Sequence, residues 1–433
     1  MRIVTIGILL FAAMFPAKAE ELLAPEALLP GYEQTDAHMP SIACGKGLYL
    51  AVWQVGVNEK ADIVGLRIDR SGKALDAKPF VICAARDCQE QPRVAFAPST
   101  SSTSSGQAGP GQGGGVFLVV WQDLRNSRDW DIYAARVSSD GKLLDPDGIA
   151  VVTGDRNQSA PEVCFAAGSF QVLWRAFIGD GALPMKQKEW GAKSEYQIWG
   201  GRVSVEGKPL DGPGVAVIAM GNNGKLGSPS AVALGDGRIL VGSVHHTGTW
   251  DLGISLKLVL AGKPVDAVAG LKNVCQNDQL ALASDGKSAS LAWSTFVERG
   301  GRGGHIPESG MSLVSLSEGI KPQVVKSLYS PSSARENKKC GSRPTLAWDG
   351  KTYVAAWQVI MAAEKLRYDR IMMRRVSATG EPDAVDVIVA GEPDSPAICP
   401  AVASDGAGTT VVVYERHPKT GDTPIKIAVR VMK

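Results

Sequence analysis

The sequence predicts an all-β fold: a seven-bladed β-propeller with four antiparallel strands per blade, its ring closed by the N-terminal strand completing the last blade. Three observations predict it. Four short apolar segments separated by Gly, Asp and Ser recur along the chain, and an aromatic residue returns at one position of each second segment. The stretch that follows the leader matches the end of a unit rather than its start.

The unit is clearest from Pro92 to Gly154, as "PRVAF", "GVFLVVWQD", "DIYAARVSSDGKLLD" and "GIAVVTG". Each piece is a short alternating or apolar run bounded by turn formers, the mark of an antiparallel strand; the four are labelled A to D. Strand B recurs as "LYLAVWQ", "FLVVWQ", "FQVLWR", "SLAWS", "YVAAWQ" and "TVVVYE", bringing Trp53, Trp121, Trp174, Trp293, Trp357 and Tyr414 to one position. A further copy, "ILVGSV", has Ser243 there. Strand C recurs as "DIVGLRIDRSGK", "DIYAARVSSDGK", "QIWGGRVSVEGK" and "RIMMRRVSATGE", each ending in a turn with Gly where a positive φ is cheap. The fourth and fifth copies are the most diverged. Seven such units of roughly 50 to 70 residues read as blades of twisted sheet around a central channel.

The last unit runs "PAVASDG", "TTVVVYE", "IKIAVRVMK" and then stops without a D strand. The N-terminal "LLAPEALLPGYEQTDAHMP" offers one, because its first Leu-Leu stands as far from Pro40 as the Leu-Leu of "LLDPDGIAVVTGDRNQSAP" stands from Pro161. A ring left open there would expose apolar faces and unpaired strand edges.

Residues 1–19 read as an export signal, with Arg2, an apolar run from Ile3 to Phe15, and small residues at Ala17 and Ala19. The run is shorter than the about 20 residues that span a bilayer. The first cysteine is Cys44, so no lipoprotein cysteine stands at the cleavage site. A periplasmic or extracellular protein without membrane insertion is expected, residues 20–433 forming one propeller domain and one monomer. A Ser/Gly-rich loop of about 98–115 interrupts its second blade. A net charge of +2 gives no basic stripe for nucleic acid. Seven cysteines in an exported chain (Cys44, Cys83, Cys88, Cys164, Cys275, Cys340 and Cys399) imply disulfides and a leftover thiol. Cys83 and Cys88 are spaced for a local bridge, and the other pairings stay open.

The Trp strand and Arg-Val strand together resemble the repeat of secreted bacterial β-propeller proteins over nearly all of the mature chain. That resemblance implies an architecture and no activity. The turns "RIDRSGK" and "VSSDGK" are distantly similar to the Asp-box of sialidase propellers, one residue short and without its closing aromatic, so no sialidase residue is carried onto this chain.

Residues that repeat in every blade do what every blade needs. The B-strand aromatics are therefore assigned to packing between sheets, and Arg67, Arg136, Arg202, Arg375 and Arg430 to pairing with carboxylates or turn carbonyls. Residues that do not repeat point to a face. The A-to-B and C-to-D turns are short, apart from the Ser/Gly insertion. The B-to-C and D-to-A connections are long and mixed, as in "RAFIGDGALPMKQKEWGAKSEY" and "STFVERGGRGGHIPESG", and binding residues favour such loops on a rigid scaffold.

Trp130, Trp190, Tyr196, Trp250, Arg302 and Tyr368 are the candidate ligand-binding residues of that face, with Tyr133, Arg125, Arg128, Arg299 and Arg367 beside them. All five His fall there too: His38, His245, His246, His305 and His417. His245, His246 and His305 are the candidate metal ligands, with Asp251 or Glu308, although vicinal His on a continuing strand point to opposite sides. No other cofactor is expected, and no acid-base pair, phosphate loop or nucleophile elbow singles out catalytic residues. The leading reading is a non-catalytic exported propeller that recognises a protein or carbohydrate partner through its B-to-C and D-to-A loops. A glycan-processing hydrolase or lyase working at the channel mouth comes next, then a structural cell-surface protein.

Overall fold

The computed structural model of the 433-residue chain describes residues 23–32, 34–56, 60–99, 114–178, 196–219, 225–246, 252–272, 279–297, 308–317, 321–322, 326–329, 341–363, 366–418 and 423–433. The expected leader and most of the Ser/Gly loop lie outside these residues. Every regular element described is a β-strand, and the strands form seven antiparallel sheets in chain order, a propeller-like arrangement.

Sheet 1 consists of Ala37–Gly45, Leu48–Val55, Asp62–Ile68 and Phe80–Cys83; sheet 2 of Gln89–Pro98, Gly115–Asp123, Asp131–Ser138 and Ile149–Val152; sheet 3 of Gln158–Ala166, Ser169–Phe177, Tyr196–Ser204 and Val215–Ile218. Sheet 4 has a divided first strand, Lys225–Leu226 and Ser230–Ala233, followed by Arg238–His246, Leu252–Leu260 and Lys263–Lys272. Sheet 5 has Leu280–Ser284, Ala289–Val297 and Glu308–Ser317, with its outer strand divided into Lys321–Pro322 and Lys326–Tyr329. Sheet 6 consists of Gly341–Trp348, Thr352–Ala363, Leu366–Ser377 and Val387–Ala390. Sheet 7 holds Ala397–Ser404, Thr410–Arg416 and Lys426–Met432, and its fourth strand is Ala27–Leu28 from the other end of the chain.

The cores lie between sheets, which is why strands B and C read as nearly continuous apolar runs. Trp121 shares a cluster with Leu50 and Val52 of sheet 1, Trp174 with Leu118 and Val120 of sheet 2, and Trp293 with Leu240 and Val244 of sheet 4. Trp357 packs with Ala283 and Ala292 of sheet 5, Tyr414 with Val354 and Met373 of sheet 6, and Trp53 with Val411, Val413 and Val429 of sheet 7. None of the six aromatics is more than 1% exposed, as the packing assignment expects. At the junction of sheets 3 and 4, where Ser243 replaces the aromatic, Phe177 and Tyr196 meet edge to face at 5.3 Å and fill the space. Ser243 is fully buried and donates its hydroxyl to the Gly227 carbonyl.

The strand-C arginines also take the expected partners. Arg67, Arg136 and Arg202 fork onto Asp76, Asp145 and Asp211, each nine positions on, while Arg67 and Arg136 also donate to the Ser139 and Val205 carbonyls of the following sheet. Arg375 donates to the Lys433 carbonyl, and Arg430 to the carbonyls of Ala24 and Val389.

At the chain ends Ala27 pairs with Val429 and Leu28 with Ala428, and Leu23 bridges Met432. Tyr414 donates its hydroxyl to Glu26, whose other oxygen meets Arg416 at 3.2 Å.

The expectation of a local Cys83–Cys88 bridge needs correcting. No two described cysteines stand at disulfide distance, and Cys83 and Cys88 form no local bridge. The two thiols face different surroundings: Cys83 accepts a hydrogen bond from Arg125 in the core between sheets 1 and 2, whereas Cys88 donates to Glu90. Cys275 and Cys340 lie outside the described residues.

Candidate functional site

One position of strand A is equivalent in all seven sheets. The residue before the B-strand aromatic, or before Ser243, pairs in turn with Ser41, Arg93, Glu162, Ser230, Ala281, Thr345 and Ala401. In six sheets that residue follows a proline, Pro40, Pro92, Pro161, Pro229, Pro344 or Pro400; sheet 5 has Leu280 instead. The result is a repeated X-Pro-Z tripeptide on the innermost strand, a place where a residue lacking N–H is tolerated.

In sheets 1, 2, 3, 6 and 7 the tripeptide is a bulge, with the register shifting across it. Its X residue is left-handed: Met39 at φ 53°, Gln91 at 55°, Ala160 at 50°, Arg343 at 51° and Cys399 at 54°. Such a conformation costs a non-glycine residue about 1–3 kcal/mol, so something must hold it. For four of the five the holder is the residue just after the aromatic in the preceding sheet. Gln54 accepts the Gln91 N–H, Gln122 the Ala160 N–H and Gln358 the Cys399 N–H, at 3.1, 3.0 and 3.3 Å. Between sheets 7 and 1 the holder is a carboxylate: Glu415 Oε1 accepts the Met39 N–H at 2.9 Å.

These tripeptides surround a cavity of about 490 Å³ that draws lining residues from all seven sheets. The volume falls within the range of small-molecule sites. Its lining mixes proline, alanine and aliphatic side chains with the neutral polar groups of Ser41, Gln91, Ser228, Gln279 and Thr345 and with ionisable groups at Arg93, Glu162, Arg343 and Cys399. Arg93 Nε lies 3.7 Å from Glu162, whose carboxyl is raised by burial against the opposing pull of that guanidinium. Arg343 is different, for its partners among the described residues are two sulfur atoms, Cys399 Sγ at 2.6 Å and Met39 Sδ at 3.4 Å. Burial pushes the Cys399 thiol well up, Glu415 adding to the effect and Arg343 opposing it. Cys399 is therefore held as a thiol.

Behind this wall Glu415 is 3% exposed in its side chain and gathers donors. Its Oε2 lies 3.1 Å from His38 Nδ1 and 3.4 Å from His417 Nε2. Burial alone would raise the carboxyl. Hydrogen bonds from His38, His417, the Cys399 thiol and the Met39 N–H outweigh it and hold Glu415 far below the usual range. His38 is raised in turn, mainly by its hydrogen bond to Glu415.

None of the candidate ligand-binding or metal residues that the structure describes lines this cavity. Trp190, Trp250, Arg302 and His305 lie outside the described residues, as do Arg299 and Asp251. Trp130 is half-buried against Ala61, Cys88 and Leu124, at the edge of a loop tied by Asn126 to Asp129 and Asp131. Tyr196 and Tyr368, expected to be exposed, are 5% and 7% exposed; strand pairing turns Tyr196 into the junction core under Arg175, and Tyr368 receives a hydrogen bond from Arg370. Arg125 forks onto Asp123 and covers the Tyr133 ring at 3.8 Å, so each satisfies the other.

His245 and His246 are consecutive positions of the strand Arg238–His246, and His245 meets Ser255 at 2.9 Å. Among the described residues no group of three His, Cys, Asp or Glu side chains is placed to hold a metal ion. The histidines that the fold does bring together are His38 and His417. The signal for them was present in the strand-B copies, where Gln follows the aromatic in "VWQ" and "AWQ" but Glu follows it in "VYE".

No protein-family model matches the chain, and no curated protein matches it in sequence. Among solved structures it is similar to a Trypanosoma rangeli sialidase in complex with 2,3-difluorosialic acid, at 9% identity and a TM-score of 0.48, covering 94% of this chain and 59% of that one. It is similar also to a Dyadobacter fermentans protein of unknown function, at 12% identity and a TM-score of 0.44, covering 94% and 98% of the two chains. A third is a Penicillium chrysogenum alpha-L-arabinanase complexed with arabinobiose, at 10% identity and a TM-score of 0.42, covering 93% and 98%.

Proposed function

We propose that the seven sheets are the blades of one closed ring, and that the protein is an exported binding protein taking a protein or carbohydrate partner over the mouth of its central cavity. The observation that carries this reading is the set of seven equivalent strand-A positions. A strained backbone bulge is reproduced around the hub while its X and Z side chains vary from sheet to sheet, the arrangement of a rigid frame presenting a chosen set of groups. The tripeptides lie near the start of strand A, so the cavity opens toward the D-to-A and B-to-C loops. Trp130, Trp190, Trp250 and Arg302 are proposed as the rim contacts on that side, with Tyr196 and Tyr368 supporting from beneath. Export and a monomeric state belong to the same proposal; among the described residues no helix is long and apolar enough to cross a membrane.

The test is a screen of the mature protein against glycan and peptide arrays, repeated with Ser228→Trp and Ala401→Trp, which fill the cavity; Ala401 also packs against the core between sheets 7 and 1, so urea midpoints verify that both variants fold. Saturable binding without product formation, lost in both variants, is expected. Binding that both variants retain, or cleavage of an array component, would overturn the reading, and cleavage would favour the glycan-processing enzyme.

A further inference from the structure

We infer that the central cavity recognises a hydroxylated monocarboxylate of the hexuronate class, with Arg343 as the residue that receives its carboxylate. The inference deepens the binding reading above and rests on it only in needing the cavity open to solvent.

Among the described residues two guanidinium groups and one carboxylate line the cavity, and Arg93 stands beside that carboxylate, Glu162. This leaves Arg343, among the described residues, with Cys399 and Met39 as its partners, a protonated thiol and a thioether, both weak acceptors. A partly buried guanidinium without an anion forgoes the charge-assisted, two-pronged hydrogen bonds for which its planar fork is suited. An entering carboxylate supplies them and neutralises the cation left among the described lining residues.

Geometry adds a second reason. Arg343 is the X residue of its bulge, held at φ 51° and followed by Pro344, so its side chain starts from a fixed backbone rather than from a loop. The rest of the wall selects the body of the ligand. Ser41, Ser228, Gln91, Gln279 and Thr345 present hydroxyl and amide groups suited to sugar hydroxyls, and a volume of about 490 Å³ accommodates one pyranose ring with water. A second free carboxylate on the ligand would meet Glu162 rather than a free cation, which favours a monoanion.

Calorimetric titration of the mature protein with D-glucuronate and with D-glucose at low salt tests the inference. D-glucuronate is expected to bind at least about tenfold more tightly than D-glucose, with the preference weakening as salt is added. Arg343→Gln is expected to abolish the preference and Arg343→Lys, which keeps the charge but not the fork, to retain part of it; urea midpoints verify that both variants fold. Equal binding of the two sugars by the unaltered protein, or a preference that survives in Arg343→Gln, overturns the inference. If glucuronate shows no preference while Ser228→Trp still blocks an array partner, the anion site fails and the binding reading stands. If Ser228→Trp and Ala401→Trp block nothing, the binding reading itself fails.

Discussion

Glu415 shows how one atom changes what a repeated position does. In three other sheets the residue after the aromatic is Gln, a neutral acceptor for one backbone N–H; the Glu415 carboxylate accepts the same N–H and also draws His38 and His417 toward it. Glu415→Gln should keep the bulge at Met39 and lose the ion pair. Two results are expected. By NMR titration His38 should fall from its raised value toward or below 6.5. Stability by urea denaturation should drop by about 1–3 kcal/mol where the pair is charged. The sign follows from linkage: the depressed Glu415 contributes above its unfolded value near 4.5 and loses that as pH falls, while the raised His38 contributes fully below 6.5 and loses that as pH rises through its folded value. The difference between the two proteins should therefore peak between about pH 4.5 and 6.5 and shrink on both sides. Thiol chemistry gives a second check at this scale. Burial pushes Cys83 up to about 11 and Cys399 higher still, so neither should react with N-ethylmaleimide at pH 8 until the protein is unfolded, as peptide mass spectrometry would read.

At the scale of elements the sheets are joined by two kinds of device, one apolar and one polar. The apolar device was plain in the sequence, because a large ring buried at every junction has to return in nearly every copy. Trp121→Ala should cost about 3–5 kcal/mol in urea denaturation. The polar device was half legible. The arginines were visible as repeats, but their seat on the turn of the next sheet was not, since that contact joins residues far apart in sequence. Gly141 occupies such a seat at φ +87°, where an added Cβ would stand 2.8 Å from Arg67 Nε. Gly141→Ala should destabilise by about 1–3 kcal/mol, and a circular dichroism melt showing no shift would remove the turn from this account. The glutamines that hold the bulges were missed for a physical reason: a polar residue next to a buried aromatic on a strand reads as ordinary alternation toward solvent, whereas Gln54 and Gln122 turn to a neighbouring sheet and are themselves buried.

At the scale of the molecule the pairing of the two chain ends decides the architecture. Ala27–Leu28 adds only two paired residues, yet Leu23, Leu29, Glu26 and Ala24 fasten the same stretch to Met432, Ile427, Tyr414 and Val431. A chain beginning at Gly31 would expose the edge of Lys426–Met432 and the apolar residues packed there. Its urea transition should move to lower denaturant and broaden, and it should associate in size-exclusion chromatography. A truncated chain as stable as the full one and no more associated would contradict the closed ring proposed above. Folding should also be slow for the chain's size, because this closure joins residues about 400 positions apart.

The sequence by itself determined the strand pattern, the aromatic cores and the complementarity of the two ends, because each follows from local periodicity and from burial that every copy requires. Only the tertiary structure decided which unrepeated residues share a site. Arg93, Glu162, Arg343 and Cys399 sit on different sheets and meet because the first strand of each sheet faces a common centre. Radial position leaves no trace in spacing along the chain, so the loop aromatics chosen from sequence were judged by exposure alone, and strand pairing had already turned Tyr196 and Tyr368 inward.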